Sequence, residues 1–256
     1  MIICKGKAEL QKMREANLIV ARVLEHLETL IRPGVTTKEL DIVAEQMILE
    51  AGGKPAFKGY RGAVGSVSFP ASVCTSVNEE IVHGIPSEER VLERGDILAV
   101  DVGVCYEGYF GDSAHTYPVD QVSDELKRLL KVTEESLYLG IEKVRVGNRV
   151  SDISSAVQKH VEANGFSVVR EFVGHGIGKS LHEEPQVPNF GEPGRGPRLV
   201  EGMVLAIEPM VNSKGAGVRI LDDKWTAVTA DGGYSAHFEH SVAVTENGPW
   251  ILSELT

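Results

Sequence analysis

The sequence predicts one α/β domain built as two similar helix–helix–strand halves around a central site. Two observations carry this expectation. The first is a repeated strand opening. Gly95-Asp96-Ile97-Leu98-Ala99-Val100-Asp101 returns as Gly202-Met203-Val204-Leu205-Ala206-Ile207-Glu208, and each copy ends on an acid. The second is the order of elements: helix, helix, strands runs through the chain twice. Smaller matches follow in the same order. Gly34…Glu39-Leu40…Glu50-Ala51-Gly52 parallels Gly147…Asp152-Ile153…Glu162-Ala163-Asn164-Gly165, and His83-Gly84-Ile85 parallels His175-Gly176-Ile177. Any single match could be a generic strand opening; an ordered set at offsets of about half the chain is hard to obtain by chance. The halves fall at about 7–120 and 121–250, and with no linker-like run between them residues 1–256 read as a single domain.

Each element has a local reason. Leu10, Met13, Ala16, Ile19, Val20, Val23, Leu24 and Leu27 recur at helical spacing and predict a helix over 7–31, broken by Pro33-Gly34. Thr36 with Glu39 three residues on is a capping box, so a second helix starts there and stops near Gly52-Gly53. Strands are expected at Val73–Val77, Ile97–Val104 and Tyr109–Tyr117. In the second half, helices are expected at about Asp124–Lys143 and Val150–Ala163, ended by Val146-Gly147 and Asn164-Gly165. Strands are then expected at Val168–Val173, Val204–Ile207 and Ala236–Val244, with the Gly- and Pro-rich Asn189–Pro197 as a surface loop close to the site.

Bulk properties remove several functions. A formal net charge of -11 disfavours nucleic acid or an anionic membrane as the main partner. No segment approaches the roughly 20 apolar residues that span a bilayer, and the start lacks a secretory h-region. Cys4, Cys74 and Cys105 are an odd, sparse set that encodes no disulfide framework, so the reducing cytosol is the expected compartment.

Polar residues that interrupt apolar strand patterns carry the chemistry. Asp101 follows Ile97-Leu98-Ala99-Val100, Asp112 lies in Tyr109-Phe110-Gly111-Asp112-Ser113, and His175 in Val173-Gly174-His175-Gly176. Glu208 follows Leu205-Ala206-Ile207, and Glu239 lies in His237-Phe238-Glu239-His240. A carboxylate inside an apolar strand is buried at high cost unless it is protonated, paired with a cation, or bound to metal. No Lys or Arg lies in these segments, which favours metal. Taken singly, Asp112 could be a turn residue, His175 a loop cap and Glu208 a solvated strand end. Together, four carboxylates and one imidazole form an oxygen-rich site suited to Mn(II), Fe(II), Co(II) or Mg(II). Four negative charges call for two divalent ions, which would hold a bridging hydroxide ready to attack a carbonyl; hydrolysis is the natural reaction class.

These residues sit in more specific motifs. Val77-Asn78-Glu79-Glu80-Ile81-Val82-His83-Gly84-Ile85-Pro86, Gly174-His175-Gly176-Ile177-Gly178, Leu181-His182-Glu183-Glu184-Pro185 and Ile207-Glu208-Pro209-Met210 resemble the methionine aminopeptidases over nearly the whole chain. About thirty residues separate Glu208 from Glu239, with no helical insertion, and no room precedes the first helix for a zinc-binding extension; the likeness is to type I, bacterial-like enzymes. The resemblance implies the pseudo-two-fold "pita-bread" fold, a single peptidase domain, and removal of the N-terminal methionine from nascent proteins and peptides.

It also implies roles. Asp101 would chelate one metal, His175 and Glu208 the other, and Asp112 and Glu239 would bridge both. The ions are expected to be two divalent cations, Co, Mn, Fe or Zn. Glu208 would take a proton from the attacking water and pass it to the leaving amine, while His83 and His182 would hydrogen-bond the scissile amide and the tetrahedral intermediate. A neutral α-amine on the metal would restrict cleavage to the first residue. Cys74, Phe69 and Trp225 would line a narrow apolar pocket for the flexible methionine side chain. Residues 60–70 depart from the family pattern, so the pocket is least defined there. Cys74 has no activating cation in its flanks and is not expected to be a nucleophile. The expected partner is the N-terminal methionine of nascent polypeptides, with encounter at the ribosome one option, and the expected state is a monomer.

Overall fold

The structure, a computed structural model, describes residues 1–61 and 67–255. Its first half runs α1 (Lys7–Leu30), α2 (Thr37–Glu50), β1 (Lys54–Pro55), β2 (Val73–Val77), β3 (Glu80–Val82), β4 (Ile97–Tyr106) and β5 (Tyr109–Pro118). The second runs α3 (Asp124–Ile141), α4 (Val150–Ala163), β6 (Ser167–Val168), β7 (Gly174–Gly176), β8 (Glu183–Val187), β9 (Val204–Ile207), β10 (Met210–Asn212), β11 (Val218–Ile220), β12 (Ala227–Thr229), β13 (Ser235–His237), β14 (His240–Thr245) and β15 (Gly248–Ile251).

Each half has its own core. Val20, Leu24 and Leu27 of α1 and Leu40, Ala44 and Ile48 of α2 pack on Val73, Leu98, Val100 and Val102 of the first sheet. Leu129 and Leu137 of α3 and Ile153 and Val157 of α4 pack on Leu205, Ile207 and Val242 of the second. The helices therefore cover the outer faces of the sheets. The two sheets meet at β5 and β14: the Glu239 amide donates to the Ala114 carbonyl at 2.9 Å, and the Ser241 hydroxyl to the Asp112 carbonyl at 2.9 Å.

The equivalence of the halves extends to single hydrogen bonds. The Gly34 amide donates to Leu92 at 2.8 Å and the Leu92 amide to Val35 at 2.8 Å; Gly147 donates to Leu199 at 3.0 Å and Leu199 to Asn148 at 2.7 Å. The acid three residues into each second helix closes the first turn: Glu39 accepts from the Thr36 amide and Asp152 from the Arg149 amide, each at 2.7 Å.

Two strand expectations need correction. The strand expected at Val168–Val173 ends at Val168, because β10 is only Met210–Asn212 and its first residue takes the Val169 amide at 2.9 Å, leaving nothing beyond to pair. The strand expected at Ala236–Val244 is broken between His237 and His240. There the chain leaves one sheet for the other: His237 pairs with Met210 of β10, whereas His240 pairs with Ile207 of β9.

Candidate metal centre and substrate cavity

Glu239 sits in that break, and the local geometry brings the other polar residues to it. Antiparallel pairing sets Cys74 opposite Asp101 and Gly103 opposite Asp112, so β2, β4 and β5 carry one wall. On the other wall His175 pairs with Ala206, and Ile207 with His240, so Glu208 and Glu239 leave the ladder side by side. Both His-Gly-Ile motifs use their glycine in the same way. A Cβ on Gly84 would run into the Thr75 backbone, and one on Gly176 into the Glu184 backbone. Only a residue without a side chain permits these close approaches. His83 itself adopts φ 62, a left-handed conformation uncommon for a residue with a side chain.

All ten residues expected to form the site line one cavity of about 540 Å³: Phe69, Cys74, His83, Asp101, Asp112, His175, His182, Glu208, Trp225 and Glu239. Phe57, Tyr60, Phe172, Leu181, Val218 and Ile220 add to its apolar portion. Ligand atoms of Asp112, His175 and Glu239 all lie within 4.8 Å of one another. The His175 Nε2 is 3.5 Å from Glu208 Oε1 and 3.9 Å from Asp112 Oδ2. Its Nδ1 is 3.0 Å from the Gly176 carbonyl, which only an Nδ1–H can satisfy; Nε2 then presents its lone pair to the carboxylates, the state a metal requires.

The electrostatics are those of an anion cluster without internal compensation. Burial drives the Asp101 carboxyl up to about 7. Burial and mutual repulsion push Asp112, Glu208 and Glu239 well above the usual carboxylate range. Burial lowers His175 to about 3 and His83 to about 4, so both rings are neutral at pH 7. The buried Asp101 Oδ1, Asp112 Oδ1 and Glu239 Oε1 have no hydrogen-bond partner. Unpaired carboxylate oxygens beside a neutral, correctly oriented imidazole fit divalent cations and fit little else. Burial and the nearby carboxylates also raise the Cys74 thiol far above its ordinary value, so it is a protonated pocket wall and no nucleophile.

Three contributors were not expected from the sequence. Tyr60 Oη lies 2.8 Å from His182 Nδ1. His237 is buried, with an unpartnered Nε2 3.9 Å from Glu208 Oε2. Lys5 forms a buried ion pair of 2.7 Å with Glu183, whose other oxygen accepts the amides of Lys179 and Ser180; it thereby holds the loop carrying His182. The His237-Phe238-Glu239 spelling places His237 beside an expected ligand, but no local pattern links Lys5 to a residue 178 positions away. Of the Asn189–Pro197 loop, only Asn189 reaches the site, where its amide holds the Glu208 carbonyl at 3.0 Å. The remainder lies over the start of α4, through Gly194 to Asp152 and Arg195 to Ser151. Of residues 60–70, positions 62–66 lie outside the described residues.

Residues 11–246 match metallopeptidase family M24. Methionine aminopeptidase 1 of Bacillus subtilis is 55% identical over 255 residues, covering 100% of both chains, and a methionine aminopeptidase of Clostridium acetobutylicum is 52% identical with 99% of each covered. The solved methionine aminopeptidase of Thermotoga maritima superimposes with a TM-score of 0.96 at 44% identity over 100% of both chains. A prolidase from Pyrococcus furiosus, 22% identical with a TM-score of 0.78, shares the fold over 99% of this chain and 66% of its own. The fold is the pseudo-symmetric pita-bread architecture, and the chain belongs to metallopeptidase family M24 and, within it, to the bacterial methionine aminopeptidases.

Proposed function

We propose that this chain is a metal-dependent methionyl aminopeptidase that removes the N-terminal methionine from peptides and nascent proteins. One observation carries the reading: the acid–histidine cluster and an aromatic, apolar compartment share a single cavity. Its residues would hold two divalent ions, with Asp101 on one, His175 and Glu208 on the other, and Asp112 and Glu239 on both. Bound there, the ions would supply Lewis acidity toward the scissile carbonyl and a nucleophilic hydroxide at neutral pH. Cobalt, manganese, iron and zinc all suit such a donor set.

The protein's own groups do the rest. Glu208, a buried carboxyl whose pKa is raised chiefly by burial, accepts a proton from the attacking water and returns it to the departing amine. His182 and His83 face the same cavity and donate to the scissile amide as charge develops. Phe69 and Trp225 meet edge to face at 5.3 Å, and the Trp225 and His83 rings are 6.0 Å apart. These rings and Cys74 form an apolar compartment for the unbranched methionine side chain.

The same reading takes residues 1–256 as one peptidase domain with halves at about 7–120 and 121–250, acting as a monomer in the cytoplasm on chains emerging from the ribosome. Among the described residues no helix is long and apolar enough to cross a membrane. The test is hydrolysis of Met-Ala-Ser against an Ala-Pro peptide, after chelation and after restoring each divalent ion. Cleavage of Met-Ala-Ser that chelation abolishes and an ion restores is expected. Turnover of the Ala-Pro peptide alone, or inactivity with every ion, would overturn the assignment.

A further inference from the structure

We propose that Tyr60 is a positioning residue for the peptidase reaction: its hydroxyl donates to Nδ1 of His182 and so fixes the tautomer that offers Nε2–H to the substrate. This rests on the role of His182 given above and adds what determines its protonation.

The contact is short and oriented. Tyr60 Oη is 2.8 Å from His182 Nδ1, with the rings 5.3 Å apart and inclined by 50°. A neutral imidazole has one donor and one acceptor nitrogen, and the partner of one nitrogen decides the other. Two arrangements are open in principle: O–H to Nδ1, or Nδ1–H to the phenol oxygen. Phenol is a much better acid than imidazole N–H, and the imidazole nitrogen is the stronger base, so the first prevails. With Nδ1 occupied by Tyr60, Nε2 is the nitrogen left for a ligand, and the His182 ring lies 4.3 Å from that of His175 in the wall of the cavity.

Tyr60 is itself held firmly. Its amide donates to Phe57 at 2.9 Å, its carbonyl accepts from Phe69 at 2.8 Å, and Gly59 donates to Phe69 at 2.8 Å. These bonds close the segment at its base, so the hydroxyl is placed by described backbone on both sides. An Nε2–H is what a carbonyl oxygen gaining negative charge needs; the opposite tautomer would face it with a lone pair. His182 has no carboxylate partner of its own among the described residues to do this work.

The experiment uses the metal-loaded full chain with Tyr60→Phe, His182→Ala and the double variant, together with nitrogen NMR of the histidine rings. Tyr60→Phe keeps the ring and its packing. It should lower kcat by about ten-fold or more with KM changed less than about two-fold, and the His182 signals should shift from one tautomer to a mixture. In the His182→Ala background the same substitution should change kcat by less than about two-fold, because the pair acts as a unit. An unchanged kcat, an equal loss in both backgrounds, a rise in KM alone, or an unaltered tautomer would each overturn the proposal. Full activity of His182→Ala would instead overturn the role of His182, while the NMR signature would still report on the hydrogen bond.

Discussion

In the first half of the molecule the amides of Gly34 and Leu92 tie the entry of α2 to the strand opening at Gly95; in the second half Gly147 and Leu199 tie α4 to the opening at Gly202 in the same pattern. From there the copies diverge. Strand β4 runs ten residues, and Asp101 lies in its interior with a ladder partner on each side, Cys74 and Ala114. Strand β9 stops at Ile207, and Pro209, which lacks an amide hydrogen, ends the ladder before β10 joins a different sheet. A duplicated frame has thus produced one acid locked in a strand and one longer acid at a strand end. The first suits a fixed ligand, the second a group that must also move a proton.

The largest expected effect separates those two jobs. Asp101→Asn and Glu208→Gln should each reduce kcat/KM by about a thousand-fold or more. High metal concentration should restore part of the activity of Asp101→Asn, which lacks a ligand, and none to Glu208→Gln, which lacks the proton acceptor. Titration of activity against metal concentration reads this directly, and equal rescue of both would erase the distinction.

Next comes the cost of gathering these acids. Their folded pKa values are raised, so the native metal-free protein retains protons that the unfolded chain has lost. Stability must therefore fall as pH rises from the unfolded values up to the folded ones. Asp101 titrates at about 7, and burial with mutual repulsion holds Asp112, Glu208 and Glu239 well above the ordinary carboxylate range; the buried histidines, lowered by burial, contribute with the opposite sign and cancel when the protein is compared with Asp101→Asn. In chelator, the urea-unfolding stability of the protein relative to Asp101→Asn should drop as pH rises from about 4 to about 7, by up to about 1.4 kcal/mol per pH unit for the proton that Asp101 retains. Saturating divalent metal should flatten or reverse the trend. A rise in that difference over the same window would contradict the electrostatics.

The two opening glycines give a smaller contrast. Both have positive φ, 97 at Gly95 and 85 at Gly202. A Cβ on Gly95 would find its nearest neighbour, the Gln121 carbonyl, 3.9 Å away, whereas one on Gly202 would lie 2.6 Å from the Lys5 carbonyl. Gly95→Ala should cost about 1–2 kcal/mol from the left-handed backbone alone. Gly202→Ala should cost roughly 3 kcal/mol or more, since the arm holding Lys5 and Glu183 must also shift. Thermal melts of the two variants decide it.

Smallest is the asymmetry of the caps. The Thr36 hydroxyl accepts from the Glu39 amide, while Arg149 caps nothing with its side chain. Thr36→Ala should cost about 1 kcal/mol and Arg149→Ala within about 0.5 kcal/mol, measured by urea unfolding.

The sequence by itself determined the duplication, the four long helices nearly to the residue, and the acids and histidines of the cavity. Those signals are local: a helix is set by spacing and caps, and a buried acid betrays itself by interrupting an apolar strand. Tertiary structure alone decided the rest. The break between His237 and His240 comes from competition between two sheets for one chain segment, which periodicity does not record. Tyr60 reaches His182 across 122 positions and Lys5 reaches Glu183 across 178, through side chains that look ordinary in their own neighbourhoods. Residue types and local pattern name the groups a site contains; which nitrogen carries the proton, and which loop is held still, depends on contacts that only folding creates.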